Sequence, residues 1–345
     1  IETNRNNAFQ AKKHIQGNLM KKLLYFLSII SLNLLFAFEK QIVVSELASR
    51  YEKLAAEELK YFLEQISPDT YAFVSEGSAA SSDVIYLGQT SFARRHNIYT
   101  ADFDREEFIL RSVEDNLIIS GGRPVGTLYG VYEFLEQLGV HFWTYDFTAL
   151  PDKKSFSLAG YNLRKKPSLA NRGITDAIPA WMMRKEVPFK YAEAYWRWRL
   201  RCRANGFQGR DAWRTGEYAG IQGNVSKQIP SSHNFHNYVS PEKYFAEHPE
   251  YFSMDQNGER FYLPGAGRRH GQLCLTNPDV KRITLEFLRD MIKKDREAIP
   301  EDEWPVVYDI SAMDSSRFFC LCPNCEKITK EEGHAGLLLR SEEHT

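Results

Sequence analysis

Asp314 follows an apolar run, Val306–Ile310, in the sequence Ser311-Ala-Met-Asp-Ser-Ser316. A carboxyl just past the end of a buried strand can give or take a proton at a bond held in front of it. Cleavage of a glycosidic bond needs two such groups: an acid at the leaving oxygen and, opposite, a base, a nucleophile or a neighbouring substrate amide. Asp309 is the nearest second carboxyl, but its odd offset from Asp314 turns the two to opposite faces of a continued strand. The cysteines suggest different chemistry. Cys320-Leu-Cys322-Pro-Asn-Cys325 has metal-ligand spacing and would close a tetrahedral zinc site with a fourth ligand, Cys274 or a histidine. One disulfide with a spare thiol, or buried free thiols, are the competing readings. None of the five cysteines, Cys202 included, stands in a His-based triad, so they are read as structural.

His233 and His236 lie in the polar aromatic stretch Ser232-His-Asn-Phe-His236. Three readings stay open for them: hydrogen bonds to sugar hydroxyls, packing, or a metal whose third ligand is not evident. Trp213, set among Gly and Arg, and Trp181 are candidate platforms for the flat face of a pyranose. Trp196 and Trp198 fall within a helical run, where burial explains them equally well.

The elements that must position these groups divide into two regions. Residues 39–150 read as a small α+β layer with helices on one side of a sheet. Gln41–Val44, Tyr71–Val74 and Val84–Leu87 are strands, and Phe108–Ser112 with Asn116–Ser120 form a hairpin around Glu114-Asp115. One helix carries Leu54, Leu59, Phe62, Leu63 and Ile66 on one face; a second carries Leu128, Val131, Phe134, Leu135 and Leu138. Gly121-Gly-Arg-Pro-Val-Gly126 lacks the Lys-Ser/Thr of a phosphate loop and reads as a tight strand-to-helix turn. Residues 151–166 read as a linker. Residues 167–339 alternate strand and helix: a strand at Ala170–Asp176, a hairpin around Asp255-Gln-Asn-Gly258, a helix opened by Asn277-Pro-Asp279, and the strand Val306–Ile310. That alternation predicts βα units and a parallel sheet. A full (β/α) TIM-type barrel uses about 250 residues, so this stretch would supply a truncated one.

Two resemblances add to this. Thr127-Leu-Tyr-Gly-Val-Tyr-Glu-Phe-Leu-Glu-Gln-Leu-Gly-Val-His-Phe-Trp143 resembles the close of the domain that precedes the barrel in α-glucuronidases and hexosaminidases, an accessory layer without chemistry of its own. Ser232–His236, His248-Pro-Glu-Tyr-Phe252 with Gly258-Glu-Arg260, Gln272–Pro278, and the stretch from Asp314 to Cys325 resemble domain of unknown function family 4838, a glycoside hydrolase-like barrel family of secreted bacterial proteins. The resemblance implies a barrel with its site at the strand ends, carbohydrate as substrate, and Asp314 near the fourth barrel strand as the catalytic acid. It also implies that Arg172, in Arg-Gly-Ile-Thr-Asp176, holds sugar hydroxyls or a uronate carboxylate, as the similar first-strand motif of glycoside hydrolase family 20 does. An ion pair with Asp176 is the structural alternative. No Asp-Glu pair of the hexosaminidase type appears, a departure that counts against hexosaminidase activity.

The 345 residues carry 44 Lys+Arg against 45 Asp+Glu, a net charge of −1, which excludes the electrostatic footprint of a nucleic-acid binder. An apolar fraction of 43% and 13% aromatics describe a globular chain suited to a hydroxyl-rich, uncharged ligand. Residues 1–19 read as upstream translation, 20–38 as a signal peptide opened by Met20-Lys-Lys22, and 340–345 as an adapter-derived tail. The expectation is a periplasmic or secreted bacterial glycoside hydrolase-like protein, touching a membrane only if the signal segment stays uncleaved. It needs no cofactor apart from the zinc alternative. Its rivals are a non-catalytic glycan binder on the same fold and a zinc-containing interaction protein.

Overall fold

The computed structural model describes residues 39–170, 172, 189–205, 226–227, 233–262, 271–298, 300–305, 307–308, 310–313 and 319–342. Strand β1 (Glu39–Val44) leads into helix α1 (Arg50–Ile66). Ser49 opens that helix with a reciprocal cap: its hydroxyl accepts from the Glu52 N–H at 3.2 Å, and the Glu52 carboxylate accepts from the Ser49 N–H at 2.7 Å. Then follow β2 (Thr70–Val74), β3 (Val84–Leu87), the short α2 (Ser91–Arg95), β4 (Phe108–Val113), β5 (Asn116–Gly121) and α3 (Gly126–Gln137). Two-residue strands β6 (His141–Phe142) and β7 (Thr148–Ala149) pair with each other, and β8 (Asn162–Lys165) completes the region.

The main sheet has six strands in the order β2-β1-β3-β5-β4-β8. The first four run parallel, while β4 is antiparallel to both β5 and β8. Strand alternation sends Ile42, Ile85, Leu87, Leu110, Leu117 and Ile119 to one face, where α1 and α3 cover them with Leu59, Leu63, Leu128, Phe134 and Leu135. The other face is also buried: Val43, Val84, Tyr86, Ile109 and Ile118 pack beneath Ala93 and Ile98. The expected one-sided layer is therefore covered on both sides, the second time by α2 and the chain after it.

The expected linker also contributes to the sheet. Asn162–Lys165 pairs with β4 from Phe108↔Lys165 to Arg111↔Asn162, and Phe156, Tyr161 and Leu163 pack against the core. The turn after β5 is a corner without side-chain room. A Cβ on Gly122 would sit 1.9 Å from the Asp104 carbonyl oxygen, and one on Gly121 would sit 2.5 Å from that of Glu107. Backbone fills the place a phosphate would need.

Beyond residue 166 come α4 (Phe189–Arg201), β9 (Ser226–Lys227), the single turns α5 (Phe235–Tyr238) and α6 (Pro241–Tyr244), α7 (Pro278–Ala298), β10 (Val307–Tyr308) and α8 (Pro323–Glu342), which breaks at Gly333. Strands β9 and β10 pair in parallel, as expected of βα units. Asn277 starts α7 by accepting the Asp279 N–H at 2.8 Å, with Pro278 at the first helical position. The hairpin around Asp255 forms, with Met254 opposite Arg260 and Gly258 at φ 82°. A second core gathers Phe235, Tyr238, Val239, Tyr251, Phe252, Leu273, Val280 and Ile283. The molecule is a mixed α/β fold. No helix among the described residues is long and apolar enough to cross a membrane, and the segment 20–38 read as a signal peptide lies outside them.

Candidate functional site

Two clusters in the second region could do chemistry. The first is built on Ser311–Met313. Asn234 and Ser311 bind reciprocally: the Asn234 N–H donates to the Ser311 carbonyl at 3.0 Å, and the Ser311 N–H donates to Asn234 Oδ1 at 2.7 Å. The Gln272 side-chain amide repeats the arrangement on Met313, donating to its carbonyl at 2.8 Å and accepting its N–H at 2.9 Å. Gln272 and Asn234 are almost fully buried, so both amides are fixed. His233 sits on this frame in the left-handed region, φ 66°. Its N–H donates to Ser311 Oγ at 2.9 Å, and its Nδ1 lies 2.9 Å from the Ala312 carbonyl, which makes that nitrogen the N–H donor. The residue is exposed. His233 is thereby tied to Ala312, which precedes Asp314 by two residues in the chain, while Asp314 itself lies outside the described residues.

The second cluster is made of sulfur. Cys274, Cys320, Cys322 and Cys325 are all buried, and their Sγ atoms all lie within 4.8 Å of one another. Cys274 Sγ is 3.7 Å from that of Cys322 and 3.8 Å from that of Cys325. Donors surround them. The Met254 N–H and the Arg260 guanidinium each reach Cys320 Sγ at 3.4 Å, and the Thr276 hydroxyl lies 3.1 Å from Cys325 Sγ. Sulfur hydrogen bonds, first from Cys320 and then from Cys325, hold the Cys274 thiol far below the ordinary range, while Cys274 pushes Cys320 and Cys325 up. None of the five cysteines is in a disulfide.

Comparison with known proteins finds two family matches along the chain. The model of a domain of unknown function, DUF4838, matches residues 142–341, more than half of the chain. The chain belongs to this family. Ahead of the DUF4838 region, residues 33–134 match the N-terminus of glycosyl hydrolase family 67. No curated protein matches. Among solved structures, a family GH115 4-O-methyl-α-glucuronidase with specificity for decorated arabinogalactans is 19% identical, with a TM-score of 0.46 over 61% of this chain and 32% of that one. A GH138 enzyme targeting pectin rhamnogalacturonan II is 14% identical, TM-score 0.33, over 80% of this chain and 25% of that one. A mutant Streptomyces plicatus β-hexosaminidase in complex with the product GlcNAc is 16% identical, TM-score 0.36, over 74% and 52%. The chain spans about a third of the first of these proteins and a quarter of the second.

The other residues singled out in this DUF4838 chain are placed differently. Arg172 does not join His233. Its guanidinium donates to Glu106 at 2.8 Å and to the Arg203 carbonyl at 2.9 Å, and it lies 5.9 Å from the centre of the Tyr129 ring. It does make an ion pair, but with Glu106 of the first region; Asp176 lies outside the described residues, as do Trp181 and Trp213. His236 is 1% exposed and packs edge-on to Phe252, so it belongs to the core rather than to a surface that a sugar could reach. The Trp198 indole donates to the Phe142 carbonyl at 3.1 Å, a packing role.

Sequence reasoning missed the interface that these arginines build. Glu58 of α1, 4% exposed, accepts from Arg197 at 3.0 Å and from Arg201 at 2.7 and 2.9 Å, both on α4. Arg203 forks onto Glu136 of α3 at 3.1 and 2.8 Å. The Arg-rich composition of residues 197–203 was the available signal. Beside Glu58 opens a cleft of about 590 Å³, lined by Glu57, Tyr61, Gln65, Tyr145 and Arg197 among others.

Proposed function

We propose that this protein is a secreted, glycan-acting member of the glycoside hydrolase-like DUF4838 family, with residues 39–166 as accessory domain and the following residues as the opening part of a (β/α) barrel. The observation that carries the reading is the tandem match, an α-glucuronidase-type N-terminal domain directly followed by DUF4838. Asp314 is the proposed acid, and His233, bonded to the Ala312 carbonyl, is the proposed contact to sugar hydroxyls. The frame from Asn234 and Gln272 supports this reading because a catalytic carboxyl needs a rigid base beneath it.

The test is a screen of the protein against aryl glycosides, aryl uronides and plant polysaccharides. With a substrate in hand, Asp314→Asn lowers kcat by about 10²–10⁴-fold, the usual weight of a positioned acid or base, and His233→Ala raises KM. Unchanged turnover in Asp314→Asn overturns the assignment of the acid.

A second reading, a non-catalytic glycan binder, is favoured by the cleft beside Glu58. Tyr61 and Tyr145 offer rings there, and Glu57, Gln65 and Arg197 offer polar groups at one opening. Oligosaccharide binding without cleavage, weakened by Tyr61→Ala and indifferent to Asp314→Asn, decides for it.

A further inference from the structure

We propose that Cys274, Cys320, Cys322 and Cys325 hold one zinc ion as a closed, structural tetrathiolate centre. The distances carry the argument. Zinc–thiolate bonds are about 2.3 Å long, so sulfurs at tetrahedral corners lie about 3.8 Å apart. Cys274 meets Cys322 at 3.7 Å and Cys325 at 3.8 Å, and all four sulfurs fall within 4.8 Å of one another. A disulfide pairing would instead single out one partner for each sulfur, at a bond length near 2.0 Å. Cys274 has two partners at almost equal distance, which is the spacing of ligands around a common centre.

The surroundings fit the charge such a centre would have. Four thiolates around Zn²⁺ leave two net negative charges, which burial penalises unless donors face them. Here the Arg260 guanidinium and the Met254 N–H point at Cys320, and the Thr276 hydroxyl points at Cys325. Cys325 also lies in the first turn of α8, where the helix dipole favours negative charge. With four protein ligands and no open position, the centre is structural and has no place for a bound water. It ties the 251–262 hairpin, the turn before α7 and the start of α8 together. The proposal stands apart from the glycan reading, because metal content is measured without any substrate.

The experiment is elemental analysis of the purified, reduced protein after dialysis against zinc and gel filtration. About one zinc per chain is expected, and replacement by cobalt gives the intense visible and sulfur-to-metal charge-transfer bands of tetrahedral thiolate coordination. Cys274→Ser and Cys322→Ser drop zinc to background, whereas Cys202→Ser keeps the wild-type content. Arg260→Met keeps the ion but weakens its affinity by about 10–100-fold, the usual effect of removing an outer-shell partner. If the cysteine variants fail to fold, the cobalt spectrum and metal content of the wild-type protein decide alone. Zinc below about a tenth of an equivalent, a cobalt spectrum without thiolate bands, or mass spectra showing two disulfides among these four cysteines overturns the proposal.

Discussion

At the scale of single residues, Glu58 is the side chain on which the contact between the two regions turns. It sits inside α1 with the guanidinium of Arg201 forked across both its oxygens and Arg197 on one of them. Arg201 also lies 4.9 Å from the centre of the Phe62 ring and 5.5 Å from that of Phe142. Glu58→Ala would leave Arg201 against the Phe62 and Phe142 rings without the carboxylate it forks onto. The expected cost is about 3–5 kcal/mol, the usual result of removing one partner from a buried pair, seen as a lower midpoint in urea unfolding. Glu58→Gln, which keeps an acceptor, should cost less. A charge in the middle of an amphipathic helix was not readable as an anchor from sequence, because periodicity reports only which face is apolar. Arg172 illustrates the same limit. Its type suggested a fork for a ligand, and the guanidinium is instead held by Glu106, in the turn before β4 and far away in the chain, and by the Arg203 carbonyl.

At the scale of elements, β8 joins what sequence separates. Its residues, Asn162-Leu-Arg-Lys165, contain one apolar side chain, and an edge strand with one inward position carries almost no alternation to detect. The strands with several inward positions and the two amphipathic helices were legible for the opposite reason. So was Asn277-Pro-Asp279, since capping chemistry is local. A protein shortened to end at Leu150 would leave the outer edge of β4 unpaired; it should aggregate more on size-exclusion chromatography than one ending at Lys166, which keeps β8. The same edge makes stability depend on pH. The hydrogen bond from Arg164, assisted by the Asp104 N–H, holds Glu107 below the ordinary carboxylate range against a small burial effect. Burial raises Glu133, but hydrogen bonds from Lys165 and Gln137 outweigh it and hold that carboxyl low as well. Folded values below the unfolded ones mean stability that is present above about pH 4.5 and lost as pH falls through the folded values. Thermal unfolding followed by circular dichroism should show Tm falling below pH 4.5, with a weaker fall in Arg164→Met.

At the scale of the whole molecule, the two regions meet through arginine contacts as well as through apolar packing of Leu200 and Trp198 on the first core. Arg50 pairs with Glu303, Arg105 donates to the Trp304 carbonyl at 2.6 Å, and Arg172, Arg197, Arg201 and Arg203 bind carboxylates of the first region. Each partner lies far from its arginine in sequence, so the Arg-rich stretch 197–203 could announce charge but not the carboxylates that meet it. The thiol cluster was partly legible for a related reason: Cys320, Cys322 and Cys325 share one short stretch, while Cys274 joins only through the fold.

That last separation bears on how the protein is made. Cys274 and Cys322 stand 48 positions apart, with all of α7 and β10 between them. As the chain is delivered from its N-terminal end, Cys274 emerges before its three partners, so the set of sulfurs stays incomplete while α7 follows. The cluster can close only when the opening turn of α8 arrives, which makes it the late knot of this region, drawn once the intervening chain already has its shape.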